Sequence, residues 1–375
     1  MALSEQEKSS RRRYFQKVCR DIRQESADIA ATYSQTHRGK PARGDWKREL
    51  SRLVGKLGDL HATRVKKVSL STLASRREIL FMCFGTLREL GFKPQSIFSI
   101  GSRHVQALFS HWEENGLSAS TLQTRHTILT TFSEWIGKPG LIQPLGQYLK
   151  HPANGKRTYV AQQDKSWSAQ NLLTDELIAA VSNYDKRVGI QLKLIRAFGL
   201  RRKEAICFRP HFCLEPDGQH IQVYQGTKGG RFRVIPISNE QQREVLAEAM
   251  AMCPRHIDHV GDPDNNLEQN IRRLQYVLER FGITRAKLGV TAHGLRHEYA
   301  NNRYRQLTGE ESPLRGGDPR LFSLESTKLK RRQVAEELGH SRISVTTAYY
   351  GSARSTRQTN PASGNDIQHT PEQSS

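Results

Sequence analysis

The chain has 375 residues, a formal net charge of +21 and a sequence pI of about 10.0, an excess of cations that calls for a polyanionic partner, either nucleic acid or an anionic membrane surface. No stretch approaches the run of about twenty apolar residues that a membrane span needs, and MALSEQEKSSRRRYF lacks the apolar segment of a secretory signal. Five scattered cysteines without a CxxC spacing exclude a disulfide framework and fit a reducing compartment, so nucleic acid is the expected partner.

The first forty residues read as a basic helix with Tyr14, Val18 and Ile22 on one stripe. After the break HRGKPARGD, a second helix carries Trp46, Leu50, Leu53, Leu57 and Leu60. Residues 1–67 are therefore expected to form a basic N-terminal extension, either a charged, partly ordered segment or an arm that holds additional phosphates. Three or four amphipathic helices follow in a domain over 68–150. Their stripes are Leu80, Phe84 and Leu87; Val105, Leu108, Phe109 and Trp112; and Leu122, Ile128, Leu129, Phe132 and Trp135. Arg76, Arg77, Arg103 and Arg125 fall on the other faces and are candidate DNA contacts, each equally consistent with a solvated cation.

Residues 151–170, with KHPANGKRTYVAQQDKS, read as a flexible linker. A further domain spans 171–353. It opens with a helix at Thr174, whose Asp175 and Glu176 complement the helix dipole. A helix into AFGLRRKEA comes next, then the hairpin HIQVYQGTKGGRFRVIPI and three or more helices. Polar, proline-containing residues 354–375 are expected to be disordered. In CPRHIDH, Cys253, His256 and His259 lack a fourth ligand, so the stretch reads as a solvated loop and neither a metal nor a cofactor is expected.

The chemistry-bearing residues are scattered, and each taken singly has an ordinary structural reading. Arg201 in GLRRKEA and Arg296 in HGLR are permanently charged forks suited to clamping one phosphate. Charge gathers on the non-bridging oxygens during phosphoryl transfer, so two fixed cations favour the transition state. His293 lies one helical turn from Arg296 and can take a proton near neutral pH. Lys228 on the hairpin could give one to a departing sugar oxygen. No Gly-rich phosphate loop or carboxylate cluster for Mg²⁺ is present, so a covalent side-chain nucleophile is wanted. A phenol of pKa near 10 is only about one part in a thousand ionised at neutral pH, but neighbouring cations and a histidine base activate such a group. Tyrosines downstream of His340, in LGHSRISVTTAYYG, supply the missing part.

The set GLRRKEA, GTKGGRFRVIPI, HGLRHEYA, LGHS and a tyrosine nine residues on resembles the tyrosine recombinase family, the phage-type integrases, over roughly 173–351. SASTLQTRHTILTTFSEW also looks like the last helices of that family's core-binding domain. The resemblance implies a mainly α fold with a small β-hairpin. A helical, SAM-like core-binding domain and an α+β catalytic domain would form a C-shaped clamp around double-stranded DNA. It makes Tyr349 the nucleophile and leaves Tyr350, about 100° further round a helix, to pack. Arg201 and Arg296 would hold the phosphate with His340 as an added donor, His293 would accept the tyrosine proton, and Lys228 would protonate the leaving oxygen. Arg202 and Arg231 join the DNA-contact candidates.

The implied activity is site-specific cutting and rejoining through a 3′-phosphotyrosine without metal, cofactor or ATP, in a homotetramer at synapsis. A mobile element, a DNA-bending accessory protein and a prokaryotic cytoplasm complete the expected setting. A resolvase or topoisomerase-like nicking-joining enzyme shares these residues, and a silent DNA-binding regulator shares the scaffold. Residues 307–325 are longer than the family pattern and read as an inserted surface loop.

Overall fold

In the computed structural model the described residues are 2–37, 45–227, 230, 232–318 and 324–352, and they divide into two compact units at residues 157 and 158. The first unit is helical: α1 (Glu5–Thr36), α2 (Trp46–Leu57), α3 (Leu70–Glu89), α4 (Ser102–Glu114) and α5 (Ala119–Trp135). Short polar side chains start the helices where the sequence offers them. Ser69 and Ser118 accept from the backbone N–H groups of Thr72 and Thr121, satisfying donors that a helix leaves orphaned. The stripes of α2 to α5 face one another in a single core that includes Leu50, Leu53, Leu80, Phe84, Phe109 and Phe132.

That core also contains Phe15, Val18, Cys19 and Ile22 of α1. The division drawn at residue 67 therefore has no counterpart in the packing, because α1 and α2 bury their apolar faces against the same side chains as α3 to α5. The stripe on α1 is set by Phe15, while Tyr14 is 43 % exposed. Arg76, expected as a DNA contact, is buried; it donates to the carbonyls of Gly58 and Leu60, both at 2.7 Å, and lies over the Trp135 ring. It ties the end of α2 to α3 and has no free face for phosphate. Arg76→Ala should lower stability by about 2 kcal/mol by leaving the buried Gly58 carbonyl and the half-buried Leu60 carbonyl unsatisfied, read as a shifted urea midpoint. A DNA affinity loss with an unchanged midpoint would contradict this assignment.

The second unit is built on α7 (Lys186–Phe198), which is buried nearly all round. Around it stand α6 (Thr174–Tyr184), α10 (Glu240–Met252) and α12 (Ala292–Thr308), with α8 (Arg202–Ile206), α9 (Pro210–Cys213) and α11 (Leu267–Arg280) on its flanks. The strands β1 (His220–Val223) and β2 (Arg233–Pro236) pair antiparallel with Ile221 opposite Ile235, both fully buried. Two elements close the unit, α13 (Leu324–Glu337) against α12 and β2, and the short α14 (Thr347–Tyr350) against α12. A buried cluster fixes α13: Glu337 accepts from the Tyr299 hydroxyl at 2.8 Å and from Arg303.

The expected surface insertion is not a free loop in its described part. Ser312 and Pro313 are buried, and Arg315 donates to Asp164 at 2.7 Å and to Ser166 at 3.0 Å. Polar anchors and a buried proline bind the segment to the body of the unit. Among the described residues no helix is long and apolar enough to cross a membrane, and no group of three His, Cys, Asp or Glu side chains could hold a metal ion.

Candidate active site

The site forms where four distant segments meet. The turn after α7 delivers Arg201 to the N-cap of α8. Glu204 reaches back from the first turn of α8, accepting from the Arg201 backbone N–H at 2.6 Å and from its guanidinium at 2.7 Å. Arg233 of β2 bonds the same carboxylate with both terminal nitrogens, at 2.8 and 2.7 Å. One buried carboxylate thus orients two guanidiniums.

α12 supplies the opposite wall. Arg296 is fully buried and donates to the carbonyl of Gly199 and, at 2.6 Å, to that of Leu338. Arg201 donates to the same Leu338 carbonyl at 3.2 Å. Two guanidiniums sharing one acceptor must stand side by side. Among the described residues no carboxylate pairs with Arg296, so its charge is balanced only by carbonyl dipoles and a phenol. A buried cation in that condition favours an incoming anion.

The third wall is the turn after α13. Gly339 adopts φ +66°, and a Cβ there would approach Arg233 Cδ at 3.1 Å, so glycine both permits the turn and makes room for the guanidinium. The turn presents His340, whose Nε2 lies 3.4 Å from the Tyr349 hydroxyl. Arg296 Nε donates to that hydroxyl at 3.2 Å. Tyr350 points elsewhere: its ring packs 5.1 Å from that of Tyr304, and its hydroxyl is hydrogen-bonded to Thr346. Both tyrosines are buried, and only the first reaches Arg296; the Tyr350 hydroxyl accepts instead from Arg331 Nε at 3.5 Å.

His293 sits with its ring centroid 5.8 Å from that of Tyr349, on the solvent side beside the groove lined by Arg201, Arg202 and Lys203. His297 lies closer, at 4.8 Å, and is buried. Burial, reinforced by Arg296 and Arg201, pushes the His340 pKa down to about 4. Burial also pulls His297 to about 4. His293 is lowered too, by the protein packed around it and then by His297 and Arg296, although its ring keeps a solvent-facing edge. All three are therefore neutral imidazoles near pH 7. Burial draws Arg296 down to about 10, which still leaves it cationic at neutral pH.

Burial by itself would raise the Glu204 carboxyl, but Arg233 and then Arg201 outweigh it and hold the group at about 2. A carboxyl depressed below its ordinary 4.5 contributes stability that is fully present above pH 4.5 and is lost as pH falls toward 2. The contribution is on the order of 3 kcal/mol. The denaturation midpoint of the wild type should therefore drop below pH 4.5, and that of Glu204→Gln should start lower and fall less. Parallel curves would refute it.

Of the residues expected from sequence, Arg201, His293, Arg296, His340 and Tyr349 come together here. Lys228 and Arg231 lie outside the described residues. Arg202, Arg77 and Arg103 are exposed, whereas Arg125 is half-buried with its guanidinium 4.6 Å from the Trp112 ring centroid. Glu204, Arg233 and His297 were not anticipated. Glu204 stands three residues after Arg201, a capping-box spacing that could have revealed it. Arg233 and His297 carry no local signal of that kind.

Two family models match the chain: "Integrase" over residues 157–302 and "Phage integrase, N-terminal" over residues 50–142. No curated protein matches it in sequence. Among solved structures it is similar to lambda integrase (75-356), a dimer bound to a COC′ core site, with TM-score 0.52 and 14 % identity over 86 % of this chain and 98 % of that one. The Tn1549 transposon integrase in complex with transposon right end DNA gives TM-score 0.52 and 15 % identity over 82 % and 97 %. A lambda integrase tetramer bound to a Holliday junction gives TM-score 0.50 and 14 % identity over 91 % and 88 %. At such identities the likeness to these structures is one of fold.

Proposed function

We propose that this chain, which belongs to the tyrosine recombinase family and is a site-specific DNA strand-exchange enzyme, uses Tyr349 as its nucleophile. The observation that carries the assignment is the meeting of Arg296 Nε and His340 Nε2 on one phenolic oxygen, with Arg201 alongside. The phenolic oxygen attacks the scissile phosphorus, a P–O bond forms, and the bond to the 5′ oxygen breaks. Arg201 and Arg296 take up the charge that gathers on the non-bridging oxygens. The phosphodiester energy stays in the 3′-phosphotyrosine, and a 5′-hydroxyl from a second strand reverses the step.

The 3.4 Å contact supports His340 as the acceptor of the tyrosine proton, a shift from the sequence-based choice of His293. His293, on the groove side, suits a contact to the phosphate. Lys228 is retained as the proposed donor to the leaving oxygen. We assign DNA contacts to exposed Arg77, Arg103 and Arg202, and the arm contact to exposed Arg13, Lys17 and Arg20 on the outer face of α1. Deleting residues 1–67 would strip the core of the first unit, so charge removal on α1 is the cleaner test of the arm.

The proposed setting is a homotetramer on paired DNA sites that inserts or excises a mobile element in a prokaryotic cytoplasm, with a DNA-bending protein as optional partner. A nicked suicide duplex, which loses a short fragment after cleavage, should trap the wild-type protein as a covalent adduct on a denaturing gel. Absence of that band on a mapped target site would reject the assignment of catalysis.

A further inference from the structure

α14, which carries Tyr349, has only four residues. Helices that short do not hold themselves together in water, so its position must be imposed by its neighbours. One constraint is a hydrogen bond from the backbone N–H of Ala161 to the Thr347 carbonyl at 2.9 Å. A second acts on the nucleophile's own residue. The Tyr349 carbonyl accepts from Asn301 Nδ2 at 3.4 Å.

Asn301 is fully buried, and its other amide atom is also engaged. Asn301 Oδ1 accepts from Ser312 Oγ at 2.5 Å, and Ser312 is fully buried as well. Ser312 belongs to the segment expected to be a surface insertion. Its carbonyl accepts the N–H groups of Arg315 and Gly317, which folds 312–317 into a closed turn. Arg315 then anchors the turn to Asp164 and Ser166. The adjoining residue of the turn, Leu314, lies against the end of α14: a Cβ on Gly351 would sit 3.2–3.5 Å from Leu314 atoms. The segment therefore touches the tyrosine helix twice, directly at Gly351 and through Ser312 and Asn301 at Tyr349.

We propose that residues 312–317 form a strap that sets the position of the nucleophile, with Ser312 and Asn301 as positioning residues for Tyr349. The Ser312 hydroxyl fixes the rotamer and amide orientation of Asn301, and the Asn301 N–H then fixes the tyrosine backbone. This pins the phenol where Arg296 and His340 meet it. The amide also donates to the His297 carbonyl of its own helix at 3.0 Å. With the Ser312 link broken the amide keeps that bond and loses its hold on Tyr349, α14 shifts, and the phenol leaves the line of attack. Reacting groups displaced by about 1 Å can lose about 10²-fold in rate.

This inference rests on Tyr349 being the nucleophile, and the test keeps the two apart. Wild type, Ser312→Ala, Asn301→Ala and the double variant are compared on the suicide duplex at saturating DNA in a single turnover, with DNA affinity measured separately. Each single variant should cleave about 10- to 100-fold more slowly with affinity within about twofold of wild type. The double variant should be no slower than the slower single one, because both substitutions cut the same link. Cleavage by Ser312→Ala and Asn301→Ala within twofold of wild type overturns the strap while leaving the nucleophile intact. A loss matched by an equal loss of affinity also overturns it, since that marks general damage to the unit. Failure of the wild type itself to form an adduct strikes the catalytic reading instead.

Discussion

Tyr349→Phe is expected to yield no covalent protein–DNA adduct, a rate loss of at least about 10⁴-fold, while binding the duplex with wild-type affinity. Only the phenolic oxygen is removed; the ring keeps its contacts with His297 and His340. Loss of a nucleophile leaves whatever binding and electrostatic stabilisation contribute, without a covalent route. The control is its neighbour. Tyr350→Phe gives up the hydrogen bond with Thr346 and the one accepted from Arg331 Nε at 3.5 Å, and keeps its packing on Tyr304. It should cost about 1 kcal/mol of stability and leave adduct formation within about threefold. If the two variants exchange behaviours, the register of α14 has been read one residue out.

Arg296 should give the second-largest effect, through a different physical cause. Its guanidinium serves three acceptors at once: the Gly199 carbonyl, the Leu338 carbonyl and the Tyr349 hydroxyl. Arg296→Lys retains a charge but cannot reach three points in a fixed plane. Cleavage should fall by about 10³-fold, near 4 kcal/mol of transition-state stabilisation. Arg296→Ala should in addition cost about 3 kcal/mol of folding stability by leaving the Gly199 carbonyl unpaired and a cavity where a fully buried side chain stood. The measurements are single-turnover cleavage and a denaturant melt. A lysine variant that cleaves within tenfold of wild type would show that charge alone matters and that the planar geometry does not.

Both predictions depend on the side-by-side guanidiniums at Leu338, and neither partner of that carbonyl is near it in the chain. Local pattern does foreshadow the elements. Stripes such as Leu50, Leu53 and Leu57, or Leu108, Phe109 and Trp112, lie in cores as their spacing implies. The caps at Ser69 and Ser118 begin helices where a serine precedes an apolar run. The alternating residues around Ile221 and Ile235 pair as strands. These features follow from interactions within a few residues, which a sequence displays directly.

Arginine is where local pattern gives out. Arg76, Arg125 and Arg296 all lie on helices; the first two read as candidate DNA contacts and Arg296 as one arm of a phosphate clamp. Arg76 proves to be a buried tie between two loop carbonyls, Arg125 a half-buried cation beside a tryptophan, and Arg296 the centre of the site. Arg233 was read simply as a strand residue, yet it shares Glu204 with Arg201. The segment 307–325 read as excess length, and part of it lies against the end of α14 at Gly351.

The sequence by itself determined the helical periods, the hairpin, the cationic excess and the motifs that bring arginine, histidine and tyrosine chemistry into one chain. Tertiary structure alone decided which cations are structural, which imidazole meets the phenol and what holds a four-residue helix in place. The physical reason is separation: Arg296 meets Gly199 across 97 positions and Arg201 meets Leu338 across 137. Contacts at that range arise from how whole helices pack, and no local spacing encodes them.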